Sequence, residues 1–416
     1  MTPAPSPRRI FLPVQWLISP REDLIWILGS VLVAYGMFFA VFSRVLSVAT
    51  VTLLWVFVFH GPHFWATLSR TYADREQFRK RRRLLTQSLW WYAVGPAMVG
   101  LGLLVQSVTS TAANPGGKSD IIRLFFFLAA VWAFHHVAKQ HFGFLALYRA
   151  KHREFHKADF LFHKYYLLVS LWMPALILLT NHVVWVQDIP GVLGYYTSYG
   201  ADGLATIQST QKVFRVGCTW IFWLAQAAFA GAMILRLIRG KGLNLPILLL
   251  LASCVPLSWI VIMHSLESDI PNAQFVLVPI LTTYHNIQYH GLVWHYNRQK
   301  YRCATYDTET KQRLGWAVPL NHNLLVYAAF GVLYTALTIG FEHYGLALVK
   351  DRQGIGLVLS AFFWGFAFHH YYLDSKIWKA SEDAELRQLL GFPGPKKLAP
   401  TRTPIGEPAA IASEVN

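Results

Sequence analysis

Four short stretches gather histidines at spacings that suit metal ligation. They are His60-Gly61-Pro62-His63; His135-His136 followed by His141; His285, His290 and His295 at five-residue intervals; and His369-His370 followed by Asp374. Imidazoles with one or two carboxylates suit iron, zinc or copper, and a mostly nitrogen set with open positions suits oxygen-activating iron. On a helix His60 and His63 are i,i+3 neighbours, and His136–Gln140, Asn286–His290 and His370–Asp374 are i,i+4 pairs. His136–His141 and His285–His290 are i,i+5, about 140° apart on an ideal helix. Either a π-bulge realigns each pair or its two rings face different neighbours. Pro62 should kink its helix and free a carbonyl. Asp374 is the candidate catalytic carboxylate, as a ligand or as the acceptor that fixes a histidine tautomer.

The elements that carry these groups are apolar. Of 416 residues, 54% are hydrophobic and 15% aromatic, only 14% are charged, and the mean hydropathy is +0.35. Runs near 20 apolar residues recur along the whole length, which predicts an all-α, polytopic integral membrane protein. Ten spans are expected: 24–43, 47–69, 87–109, 121–148, 165–185, 213–236, 244–264, 272–296, 323–345 and 354–373. The large majority of the 37 Lys and Arg residues fall on one side of these spans, which places both termini in the cytoplasm. The net charge of +16 therefore reads as positive-inside topology and not as nucleic-acid binding. The run Arg79-Lys80-Arg81-Arg82-Arg83 is a topology anchor that also attracts anionic lipid head groups.

Residues 1–23 read as a cytoplasmic N-terminal segment without a signal peptide, 24–385 as a transmembrane catalytic domain, and 386–416 as a disordered cytoplasmic tail. A bacterial inner membrane is the expected location. The loop Gln187 to Gln211 reads as an interfacial lid. Cys218, Cys254 and Cys303 are too scattered for a disulfide framework or a Cys-x-x-Cys metal motif.

With that topology the spans numbered 2, 4, 8 and 10 all run inward, and their histidines fall in the cytoplasmic half. His63, His141, His290 and His370 each precede a basic residue (Arg70, Arg149, Arg298, Lys376) by six to eight positions. That sets them about 9 to 12 Å below the basic edge. His60, His135, His136 and His285 lie a turn or more deeper. An intramembrane histidine is costly and faces a partner, a metal or a wet cavity. The expected metal ligands are His60, His63, His135, His136, His141, His285, His290, His369 and His370. His295 reads as interfacial, His152, His156 and His163 as solvated, and His182, His264, His322 and His343 as interfacial.

These motifs resemble the membrane-bound non-haem di-iron oxidoreductases: fatty acid desaturases, lipid hydroxylases and alkane hydroxylases. The i,i+5 spacings are similar to their first histidine box, and the adjacent pairs His135-His136 and His369-His370 to the ends of two others. The patterns here (HxxH, HHxxxxH, HxxxxHxxxxH and HHxxxD) depart from theirs, and ten spans exceed their usual number. The likeness covers the site and not the length. Membrane-integral carotene-cleaving oxygenases are a second distant likeness.

The resemblance implies two irons, with zinc or copper as alternatives, and O₂-dependent desaturation, hydroxylation or cleavage of a lipid or other hydrophobic substrate. A separate electron-donor protein would be required, with Arg75, Lys80 and Arg81 as docking points. Aromatic residues such as Phe64, Trp65, Tyr284 and Tyr289 would line a slot for an acyl chain or polyene. The competing expectation is a membrane transporter whose histidines form a proton relay or metal-transfer path, drawing on His182, His264, Glu267, Asp269, Glu342 and His343 on the far side. A haem protein is a third: two facing histidines would ligate haem, and nine exceed its need.

Overall fold

A backbone amide left unpaired in hydrocarbon is so costly that apolar runs of this length must satisfy themselves as helices. The computed structural model describes residues 12, 14–109, 120–180, 200–270, 273–301 and 307–392. Among them are ten long helices. These are α1 (Pro20–Phe42), α2 (Val48–Thr71), α3 (Trp91–Thr109), α4 (Asp120–Lys151), α5 (Lys157–Leu179), α6 (Gly200–Ile238), α7 (Leu245–Glu267), α8 (Leu277–Tyr301), α9 (Leu324–Leu348) and α10 (Gln353–Ile377). No strand occurs among the described residues, only one isolated bridge between Asp74 and Gly315.

Eight of these helices, all but α8 and α10, are long and apolar enough to cross a membrane. Their outer faces carry exposed Leu32, Trp220, Leu325 and Leu348, residues that a lipid solvent would cover and water would not. The other two are each 25 residues long. They are the helices that hold His285, His290 and His295, and His369, His370 and Asp374.

α2, α4, α8 and α10 surround one point: α8 packs on α2 and α4, and α10 packs on the same two helices. The main apolar core lies to one side, where Ile27, Leu145, Leu250 and Ile280 meet. A smaller one, built on Val99, Phe125 and Phe368, lies on the other. Two glycines let neighbouring helices approach the central four. A Cβ on Gly61 would stand 2.1 Å from the Thr335 side chain of α9, and one on Gly291 would stand 2.3 Å from Trp26 Cβ of α1.

Among the described residues two helices carry a π-turn, α1 at Asp23–Leu28 and α2 beside the site. Residues Trp55–His60 form a π-turn, closed by the Gly61 N–H donating to the Val56 carbonyl. Pro62 has no N–H, and its ring would crowd the carbonyl four residues back, so the wider turn absorbs the mismatch. α4 and α8 stay α-helical through His136–His141 and His285–His290. Of the two alternatives for those pairs, the rings face different neighbours.

Two segments differ from the expectations. Gly200 to Gln211 forms the first turns of α6, and the remainder of the expected lid lies outside the described residues. Residues 386–392, assigned by composition to the tail, include part of a short helix, Ala384–Leu389, with Leu386 and Leu390 buried. Asp383 caps that helix at the N–H groups of Glu385 and Leu386 and pairs with Lys80 and Arg81. Burial raises the Asp383 pKa, but the Leu386 N–H and those two cations outweigh it and hold the carboxyl below its usual value. The remainder of the tail and Cys303 lie outside the described residues; Cys218 and Cys254 are free thiols.

Candidate metal centre

Four imidazoles, one from each of α2, α4, α8 and α10, form a closed ring of contacts. Ring centroids are 4.4 Å apart for His63–His370, 5.0 Å for His370–His136, 4.9 Å for His136–His285 and 4.8 Å for His285–His63. One donor atom from each of His63, His136, His370 and Asp374 lies within 4.8 Å of the others. A single ion can be reached by all four.

The hydrogen bonds around Asp374 fix how these groups are presented. Its Oδ1 accepts from the Tyr289 hydroxyl at 2.6 Å and from Thr67 Oγ1 at 3.2 Å. Thr67 Oγ1 also lies 2.8 Å from His370 Nδ1. Thr67 Oγ1 lies 2.7 Å from the Tyr289 hydroxyl as well. His370 Nε2 faces Asp374 Oδ2 at 3.4 Å, with no hydrogen bond between them. In the tautomer with the proton on Nδ1, the Nε2 lone pair is turned toward that carboxylate. Two acceptors held face to face in a buried site are stable when a cation lies between them.

The other rings repeat this deficit. Both nitrogens of His63, Nε2 of His136 and Nδ1 of His285 are buried without a hydrogen-bond partner among the described residues. Buried polar atoms in folded proteins are nearly always satisfied, so a cluster of unpartnered ring nitrogens is a candidate ligand set. The donor set, three imidazoles and a carboxylate with a fourth imidazole adjacent, fits a divalent transition metal.

Two expected ligands stand at the edge. His290 lies 6.2 Å from His63, with Nδ1 on the Tyr327 hydroxyl at 3.0 Å and Nε2 bare. His141 stacks on Tyr284 at 5.2 Å and also has a bare Nδ1. Three others point elsewhere. His60 stacks on Trp55 at 4.2 Å and meets Phe64 edge-on. His135 is exposed, with Trp172 as its ring neighbour, because adjacent helix positions diverge by about 100° and His136 takes the inward one. By the same rule His370 turns inward while His369 Nε2 meets the Tyr72 hydroxyl at 2.9 Å. The contacting rings thus combine both depths counted from the basic edge.

Several further residues differ from the sequence reading. His295 is buried within the protein. His163 is buried and not solvated, because Arg149 Nη1 donates to its Nδ1 at 2.9 Å. His152 is half-buried and accepts from the Gln15 N–H at 3.0 Å. His264, His322 and His343 are exposed, and His182 lies outside the described residues. Lys80 and Arg81 are engaged by Asp383, and Arg75 Nη1 donates to the Gln312 carbonyl. These side chains have partners within the chain, while Arg75 and Lys80 remain exposed.

Thr67, and the hydroxyl role of Tyr289, escaped the sequence. The available signal was helical spacing: Thr67 is i+4 from His63, and Tyr289 is i+4 from His285. No protein-family model, no curated protein and no solved structure matches this chain.

Proposed function

We propose that the chain is a membrane-embedded, metal-dependent oxidoreductase, with non-haem iron as the favoured metal and a lipid-like molecule as substrate. The observation that carries this reading is the set of unpartnered, buried ring nitrogens on His63, His136 and His370 gathered with one carboxylate, with His285 in ring contact beside them. A hydrogen-bonded packing network would leave those nitrogens satisfied. His63, His136, His370 and Asp374 would hold the ion, with His285 and His290 nearest for a second one. Such a metal, when bound, supplies the Lewis acidity and redox chemistry needed to use O₂ on an unactivated C–H bond.

The chain's own residues do the rest. Thr67 orients the His370 ring, and the Tyr289 hydroxyl holds Asp374 by Oδ1. The four-helix junction shields the centre from water, which protects a reactive site from side reactions. With ten spans and the basic ends in the cytoplasm, the centre lies within the bilayer's inner half, where a lipid-borne substrate arrives laterally. Electrons would come from a separate donor protein on that side.

A transport path would need ionisable groups continuing to the opposite end. There Glu267 and Asp269 are engaged in surface ion pairs with Arg215 and Arg44, which favours the enzyme. The test is O₂ uptake by the purified, Fe²⁺-loaded protein supplied with a membrane lipid extract and a chemical reductant. Uptake with a mass change in a lipid, absent in His136→Ala, is expected; proton or metal flux in proteoliposomes without O₂ uptake would contradict it.

A further inference from the structure

Arg70, at the last turn of α2, is 1% exposed, and its Nε and Nη1 are buried with no hydrogen-bond partner among the described residues. Its Cζ lies 4.0 Å from the Tyr296 ring centroid and 3.9 Å from that of Trp378. The two rings stand at 80° to each other, so the guanidinium sits in an aromatic corner. Rings attract a cation but give its N–H edges no oxygen acceptor.

The nearest acids on its own helix face and across the site are already engaged. Asp74 is held by Lys300 at 3.0 Å and by the Tyr301 hydroxyl at 2.7 Å. Asp374 is held by Tyr289 and Thr67. Asp374 feels the Arg70 charge, but no carboxylate among the described residues hydrogen-bonds the guanidinium Nε or Nη1. A buried guanidinium with open N–H edges carries a desolvation penalty, and the group that best relieves it is an oxyanion.

The position adds the second half of the argument. Arg70 follows His63 by two helical turns, about 10 Å along the axis. The ground between them is apolar and aromatic: Ala66, Tyr289 and Val293 form one cluster with Trp378 packed against it. We propose that Arg70 holds the oxyanion head group, carboxylate or phosphate, of a single-chain amphiphile whose apolar chain runs past Ala66 and Tyr289 toward His63. This rests on the lipid-oxidising reading for its purpose, but not for its measurement.

The experiment uses the full-length, detergent-purified protein. Binding of laurate, dodecyl phosphate, methyl laurate and inorganic phosphate is followed by tryptophan fluorescence and equilibrium dialysis, with metal content measured on the same samples. Laurate or dodecyl phosphate should bind at least tenfold more tightly than neutral methyl laurate. That advantage should vanish in Arg70→Gln and partly survive in Arg70→Lys, with the metal content of both variants unchanged. Equal binding of laurate and methyl laurate would overturn the proposal, and this comparison needs no variant to fold. So would wild-type affinity for laurate in folded Arg70→Gln, or inorganic phosphate binding as tightly as dodecyl phosphate. Arg70-dependent laurate binding by a metal-free protein would sink the oxidoreductase reading and leave this site standing.

Discussion

At the scale of single residues, adjacency and direction decide the site. His135 and His136 are equivalent as letters, as are His369 and His370, yet one of each pair turns outward. The 100° step makes that division inevitable, but only the packing partner says which member is inward: Trp172 takes His135 and Tyr72 takes His369. Thr67 and Tyr289 are invisible as metal-site residues in a sequence because hydroxyls occur everywhere. Their weight is testable. Removing either hydroxyl, in Thr67→Val or Tyr289→Phe, frees Asp374 and the His370 ring from their orientation. Metal affinity should fall by about 10- to 100-fold, as is typical when a ligand's supporting hydrogen bond is lost. Competition with a chelator measures it; unchanged affinity in both variants would show that these hydroxyls only pack.

At the scale of elements, the apolar runs made the helices legible, because length and hydropathy alone demand them. All ten expected spans overlap long helices. Pro62 was legible as a perturbation, and the π-turn at Trp55–His60 is the form it takes. Contacts between helices were not legible. Gly291 shows why, since nothing in its neighbours along the chain announces Trp26. Gly291→Ala forces a Cβ into Trp26 Cβ and should cost about 1–3 kcal/mol of stability. Gly143→Ala on α4, where an added Cβ meets nothing within 4 Å, should be neutral or stabilising by about 0.5–1 kcal/mol. Thermal unfolding in detergent checks both, and equal midpoints for the two variants would count against the close α1–α8 approach.

At the scale of the whole molecule, charge and chemistry meet at one end. Arg70 and Lys300 were legible only as basic-edge residues, and Arg81 as an anchor or docking point, because their number on one side gives no hint of their partners. In the fold Lys300 bridges Asp74 and Glu385, and Arg81 ties the helix after α10 to the short helix Arg75–Lys80. The basic end is therefore also the floor of the site. If that floor faces the cytoplasm, reporters fused to either terminus should both score as cytoplasmic in intact cells. A reporter exported at one terminus would break the even span count and the placement of the centre in the inner half of the bilayer.

Metal content tests the central claim most directly. Elemental analysis of the purified protein, loaded with Fe²⁺ under exclusion of oxygen and then desalted, should find at least one tightly held iron per chain. That iron should be lost in His63→Ala, His136→Ala and His370→Ala and retained in His135→Ala, whose ring faces away. A wild-type protein that retains no metal, or a His136→Ala variant that retains as much as His135→Ala, would contradict the account.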